Sequence, residues 1–138
     1  MISNNTNAQM KKNPTLNHIA LYVYNLQTST DFYNNIIDLE SIPEPFHNGR
    51  HEWFRIGDHS QLHLIGGAKS ISEHDKESHL CFSVSSMEDF IENLNKNKVW
   101  YGNWPGEPNK ITTRPDGVQQ IFLKDPDEYW IEINNDSY

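Results

Sequence analysis

The feature that most constrains this chain is an internal repeat of strand-like runs, each aliphatic on one side only. The run Leu16-Asn-His18-Ile-Ala-Leu-Tyr-Val23 is matched 61 residues later by His79-Leu-Cys-Phe-Ser-Val84, pairing His18 with His79, Ile19 with Leu80, Leu21 with Phe82 and Val23 with Val84. Side chains alternate across a strand, so Ile19, Leu21 and Val23 share one face while His18, Ala20 and Tyr22 share the other. Both runs lead into helical patterns. Asn25 is a suitable N-cap for a helix carrying Phe32, Tyr33, Ile36 and Ile37. Ser86-Met-Glu-Asp89 resembles a capping box, with Met87, Phe90, Ile91 and Leu94 recurring at i, i+3, i+4 and i+7. Each helix is followed by a hairpin. His51–Ile56 turns at Gly57-Asp58-His59 into Ser60–Ile65, and Val118–Leu123 turns at Asp125–Glu128 into Tyr129–Ile133. A weaker strand is expected before each hairpin, near Leu39–Ile42 and Val99–Tyr101. Both halves then read strand, helix, three strands, joined by residues 66–78.

The last strands of the halves, Gln61-Leu-His63-Leu-Ile65 and Tyr129-Trp-Ile-Glu132-Ile-Asn134, also alternate. His63 and Glu132 sit opposite their aliphatic neighbours, as His18 and His79 do. A single strand histidine is more often a half-buried polar residue than a ligand. Four such residues on equivalent strands of two related halves favour a metal site, provided that all face one concavity. Imidazole and carboxylate together suit Zn, Ni, Co, Mn or Fe.

The 138 residues suffice for one domain with a real core. The 11 basic and 19 acidic side chains give a net charge of −8, which argues against sequence-independent nucleic-acid binding. There is no apolar run long enough to span a membrane. Residues 1–14 are expected to form a flexible polar tail with no signal-peptide pattern, ahead of one domain over 15–138. The lone Cys81 cannot form an internal disulfide, and a cytoplasmic location is the default.

Together, Asn17-His18-Ile-Ala-Leu-Tyr-Val23, Asp31-Phe32-Tyr33, Leu62-His63-Leu64, His79-Leu-Cys-Phe-Ser-Val84 and Asp125-Pro-Asp127 with Trp130-Ile-Glu132-Ile133 resemble the vicinal oxygen chelate superfamily, which includes glyoxalase I. The resemblance covers residues 15–134. It implies an α+β fold of two βαβββ modules, 15–66 and 78–134, whose curved mixed sheets form half-barrels with helices packed outside. It implies that His18, His63, His79 and Glu132 hold a divalent metal. It also implies a lyase or isomerase acting on a small substrate with two adjacent oxygens, such as a 2-oxoaldehyde–thiol hemithioacetal, with Glu132 as the base that moves a proton by way of an enediolate. A thiol cosubstrate such as glutathione, and a homodimer sharing its metal sites between chains, follow from the same resemblance.

Related activities remain open. His18, His79 and Glu132 alone would resemble the iron triad of extradiol dioxygenases, and thiol or water addition of the fosfomycin-resistance type is another option. A non-catalytic drug binder of the bleomycin-resistance type is disfavoured by the four ligand candidates. No set of residues matching a glutathione site is found. Arg50, Arg55 and Arg114 are candidate anion contacts, with solvated surface the favoured role for each. Tyr22, Cys81, Trp130 and Arg114 are the candidate pocket lining. Trp100–Gly106 reads as a loop covering core rather than a mobile wall. His47, His51, His59 and His74 read as surface residues. Glu128 stands where relatives carry Gly after Asp-Pro-Asp, so a local change in that turn is expected.

Overall fold

The computed structural model describes residues 13–137; most of the tail expected over 1–14 lies outside that range. The elements run β1 (His18–Val23), α1 (Leu26–Asn35), β2 (Ser41–Ile42), β3 (His51–Ile56), β4 (Ser60–Gly66), β5 (His79–Ser83), α2 (Met87–Lys96), β6 (Thr112–Thr113), β7 (Gln119–Lys124) and β8 (Trp130–Asn134). They make two four-stranded mixed sheets, ordered β1-β4-β3-β2 and β5-β8-β7-β6. In each, the first and last strands of the half pair in parallel and the remaining pairs are antiparallel. This is the expected α+β architecture of two repeated halves. No helix among the described residues is long and apolar enough to cross a membrane.

The caps expected from sequence are in place. Asn25 Oδ1 accepts from the Thr28 amide at 3.0 Å, and Ser86 Oγ accepts from the Asp89 amide at 3.1 Å. Leu62, Leu64, Ile131 and Ile133 are fully buried and join Leu21, Val23, Tyr33 and Phe54 in one core shared by both halves.

Two buried carboxylates tie the halves together. Asp127 Oδ1 accepts from the Tyr24 amide at 2.6 Å and its Oδ2 from the Ser29 hydroxyl at 2.7 Å. Asp125 Oδ2 accepts from the Tyr33 hydroxyl at 2.8 Å, while its Oδ1 takes the amides of Asp127 and Tyr129. The turn that closes the β7–β8 hairpin is thus bonded to α1 of the other half.

Two expectations need correction. The strand preceding the second hairpin is Thr112–Thr113, not Val99–Tyr101. After α2 the chain reverses at Lys98, with φ of 56°, and meets the sheet at Gly102 alone, through a bridge to Phe122. Pro105 and Pro108 have no amide to extend that ladder, and Asn103 Oδ1 instead gathers the Gly106 and Glu107 amides. The Asp125–Glu128 turn, in turn, keeps a glycine-like conformation: Glu128 has φ of 68° and its carboxylate pairs with Lys124. Left-handed backbone costs a residue with a Cβ about 1–2 kcal/mol.

Burial raises the Asp125 carboxyl to about 6, against the pull of the hydrogen bonds it accepts. A carboxyl that holds its proton more tightly when folded contributes stability below its unfolded value of 3.8, and loses it as pH rises through about 6. The shift corresponds to roughly 3 kcal/mol. Asp125→Asn keeps an acceptor for both amides and removes the ionisation. Urea midpoints of wild type and variant should therefore diverge in the variant's favour between pH 4.5 and pH 7.5, and parallel curves would exclude a raised Asp125. Glu128→Gly should change stability by less than about 1 kcal/mol, because relief of the backbone is offset by the added freedom of the unfolded chain. Thermal melts check this.

Candidate metal centre

Strand register positions the four candidate ligands. His18 aligns with Gln61 across the parallel β1–β4 pair, with His63 two residues further on. His79 aligns with Trp130 across β5–β8, with Glu132 two residues further on. The two pairs therefore occupy the same place in their respective sheets.

In the first sheet the imidazoles of His18 and His63 are stacked, with centroids 4.2 Å apart and planes at 11°. Trp53, opposite His63 on β3, stacks on it at 3.9 Å and 1°. His63 thus lies between rings from both flanking strands and is only 9% exposed, despite standing on the side of β4 away from the core. Burial, followed by the neighbouring His18 and His51, lowers its pKa and favours the neutral imidazole that can bind a metal. His18 Nδ1 lies 2.8 Å from Asn17 Oδ1, and His63 Nε2 lies 2.8 Å from Gln61 Oε1. These rings border a cavity of about 560 Å³ that also includes Phe46 and His51. His51, expected at the surface, is thus part of the site's wall, with Phe46 4.5 Å away. The buried Trp53 indole nitrogen has no hydrogen-bond partner among the described residues.

In the second sheet His79 Nε2 is 3.1 Å from Glu132 Oε2. Gln120 Nε2 at 2.6 Å and Asn134 Nδ2 at 3.1 Å both donate to Glu132 Oε1. His79 Nδ1 lies 2.7 Å from the Lys76 carbonyl, which can only accept, so the proton is assigned to Nδ1. The Nε2 lone pair of the neutral ring then faces a carboxylate oxygen. Two acceptors at this distance call for an imidazolium or for a cation between them, and in this respect the donor set fits a divalent metal.

The four residues do not converge within one chain. They form two pairs, one per sheet, and no group of three or more His, Cys, Asp or Glu suited to a metal occurs among the described residues.

The remaining pocket candidates are dispersed. Tyr22 is half exposed and donates to the Gly67 carbonyl. Trp130 lies beneath the Lys76 and Lys124 ammoniums at 4.8 and 4.9 Å. Arg114 is ion-paired with Asp116 and Asp136. In the Trp100–Gly106 loop Tyr101 and Asn103 are buried, whereas Trp100 and Trp104 are exposed. His74, another expected surface residue, stacks on Tyr129 at 3.9 Å.

Sequence reasoning missed Trp53, Gln120, Asn134 and Lys76. The first three were within reach. Counting back from the hairpin turns puts Trp53 opposite His63, Phe122 opposite Glu132 and Gln120 opposite Asn134. Lys76 lies in the connecting segment, where no periodicity marks it.

Residues 15–133 match the model of the Glyoxalase/Bleomycin resistance protein/Dioxygenase superfamily. The chain belongs to that superfamily. Several solved structures share its fold. Oxidase ChaP-H1 superposes with a TM-score of 0.74 at 23% identity, covering 91% of this chain and 98% of that one. The fosfomycin resistance protein FosX from Listeria monocytogenes gives 0.72 at 22%, covering 91% and 96%. Lactoylglutathione lyase from Agrobacterium tumefaciens gives 0.64 at 16%, covering 89% and 94%. At these identities the likeness is one of fold, and the superfamily spans several chemistries.

Cys81 lies on the same sheet face as Glu132. Asn134 Nδ2 donates to its sulfur at 3.2 Å. Cys81 is exposed, yet partial desolvation by its neighbours, then the charge of Glu132 and a hydrogen bond to it, push the thiol up to about 12, while the nearby Arg114 works the other way. The thiolate is the nucleophile, so chelator-treated native protein should react with a disulfide reagent at pH 8 about a hundredfold more slowly than the urea-unfolded chain. Equal rates would show a free, unperturbed thiol.

Proposed function

We propose that this protein is a glyoxalase I-like metal-dependent lyase or isomerase acting on a small substrate through two adjacent oxygens, with each site shared between the chains of a homodimer. The observation carrying this reading is that His18–His63 and His79–Glu132 occupy the same register position in two sheets of one chain without meeting. Each pair supplies two of four donors. A two-fold partner offering the opposite sheet completes two equivalent sites. Exposed Phe46, on the wall of the first pair's cavity, and exposed Tyr22, further along β1, give such a partner apolar surface to cover.

His18, His63, His79 and Glu132 would hold the divalent cation, a Zn, Ni, Co, Mn or Fe ion on donor type. When bound, it supplies Lewis-acid stabilisation of the charge that develops on the substrate oxygens. The remaining chemistry falls to the chain. Glu132 Oε1 is occupied by Gln120 and Asn134, leaving Oε2 to take a proton from one substrate carbon and return it to the next. Asn17 and the Lys76 carbonyl orient His18 and His79. A hemithioacetal of a 2-oxoaldehyde with a thiol such as glutathione is the substrate of first choice, in a cytoplasmic setting.

One observation favours a second reading, an Fe(II)-dependent extradiol-type dioxygenase. Gln61 engages His63 Nε2, which leaves His18, His79 and Glu132 as a two-histidine, one-carboxylate set.

Elemental analysis of tag-free protein should find about one transition metal per chain, lost in His79→Ala. Glu132→Gln should lower hemithioacetal turnover by about 10²-fold or more while losing far less metal. Loss of both in equal measure would leave Glu132 a structural ligand only. Oxygen uptake with a catechol by Fe(II)-loaded protein, with no hemithioacetal turnover, would decide for the dioxygenase.

A further inference from the structure

We propose that Lys76 is a positioning residue whose anchored side chain places its own carbonyl so that the single proton of neutral His79 stays on Nδ1. The inference rests on His79 acting as a metal ligand through Nε2.

A neutral imidazole has one proton and two nitrogens. At His79 two acceptors compete for it, the Lys76 carbonyl at 2.7 Å from Nδ1 and Glu132 Oε2 at 3.1 Å from Nε2. A carboxylate is intrinsically the stronger acceptor. If it won, Nε2 would become a donor, ring and carboxylate would hydrogen-bond to each other, and neither atom would be free for a cation. The carbonyl prevails only by being held close.

Lys76 lies in the connection between β4 and β5, in a turn closed by the Ser78 amide on the Asp75 carbonyl at 3.0 Å and by the Glu77 amide on Asp75 Oδ1 at 2.9 Å. The turn shapes the local backbone, and the Lys76 side chain fixes that turn against the sheet carrying His79 and Glu132. The ammonium donates to the carbonyls of Trp104 at 2.7 Å and Asn103 at 3.3 Å. It also stands 4.5 Å from the ring centroid of Phe122, 4.8 Å from Trp130 and 4.9 Å from Trp104. Phe122 is the cross-strand neighbour of Glu132 and meets His79 edge-on at 5.9 Å. Among the described residues no carboxylate pairs with this ammonium. A lysine with the single task of neutralising a carboxylate would not be placed here. Carbonyls and ring faces hold it, and the backbone at the base of the side chain carries the acceptor for His79.

The test reads the His79 ring directly. Ring-nitrogen NMR of metal-free, ¹⁵N-labelled protein, at a pH where the ring is neutral, reports the tautomer, with His79→Gln assigning the signal. Wild type should carry the proton on Nδ1. Lys76→Met, which keeps the length and loses the ammonium, and Lys76→Gly, which removes the anchor, should both transfer a major share to Nε2. Both should weaken Ni(II) binding by about tenfold, with thermal melts confirming that they fold. A wild-type proton on Nε2, or an unchanged tautomer in both variants, overturns the proposal whatever the metal does. If the variants move the proton but wild type binds no Ni(II), Zn(II) or Fe(II), the clamp stands and the metal reading fails.

Discussion

The candidate site depends on the requirement that β1, β4, β5 and β8 each bury one aliphatic face against a common core. Leu62 and Leu64 on β4, and Ile131 and Ile133 on β8, are inaccessible to solvent. With a side-chain period of two, a slip of one residue would bring His63 or Glu132 into that core and turn its aliphatic neighbours outward. Burying an unpaired carboxylate in apolar surroundings costs several kcal/mol. The hydrophobic pattern thus sets the register, and the register brings His18 beside His63 and His79 beside Glu132.

The two pairs sit at equivalent positions but in different surroundings. His63 lies between rings from β1 and β3, an environment that holds an imidazole flat and neutral. Glu132 accepts two side-chain amides on one oxygen and turns the other toward the Nε2 lone pair of His79. Repetition of the module explains the placement, and divergence of its facing residues explains the chemistry. Trp53 and Phe122 are cross-strand counterparts, as are His51 and Gln120. The superfamily scaffold accommodates different reactions in this way, by exchanging residues on the concave side without disturbing the alternation beneath.

Much of this was legible in the chain itself. Alternation and the 61-residue repeat located the strands, helices, caps and all four ligand candidates, because burial against a core leaves a period that can be counted. The expected Val99–Tyr101 strand failed because a short β-like run says nothing of whether its backbone meets a neighbouring strand: the Val99 amide donates back to the Leu94 carbonyl of α2, and the Tyr101 carbonyl accepts from the Asn109 amide of the same loop. Glu128 was expected to alter its turn. Instead Asp125 fixes that turn with three hydrogen bonds through its carboxylate, and the residue adopts the conformation imposed on it. Lys76 carried no local signal, since its partners lie 27 to 54 residues away in a loop and two strands. The division of the four ligand candidates into pairs was equally hidden, as it depends on how whole modules are placed.

The tight turn Asp125–Glu128 looks like the kind of surface connection that tolerates insertion and deletion between homologues. Here it is a junction. Its first residue holds Tyr33, its third holds Tyr24 and Ser29 of the other half, and its closure sets which side chain faces Phe122. Lengthening it by one residue would at once loosen the seam between the halves and rotate Glu132 out of its place. The turn is therefore a point of low evolvability in an otherwise permissive scaffold, and lineages carrying this site should vary in length elsewhere, in segments such as 69–73 that no ladder constrains.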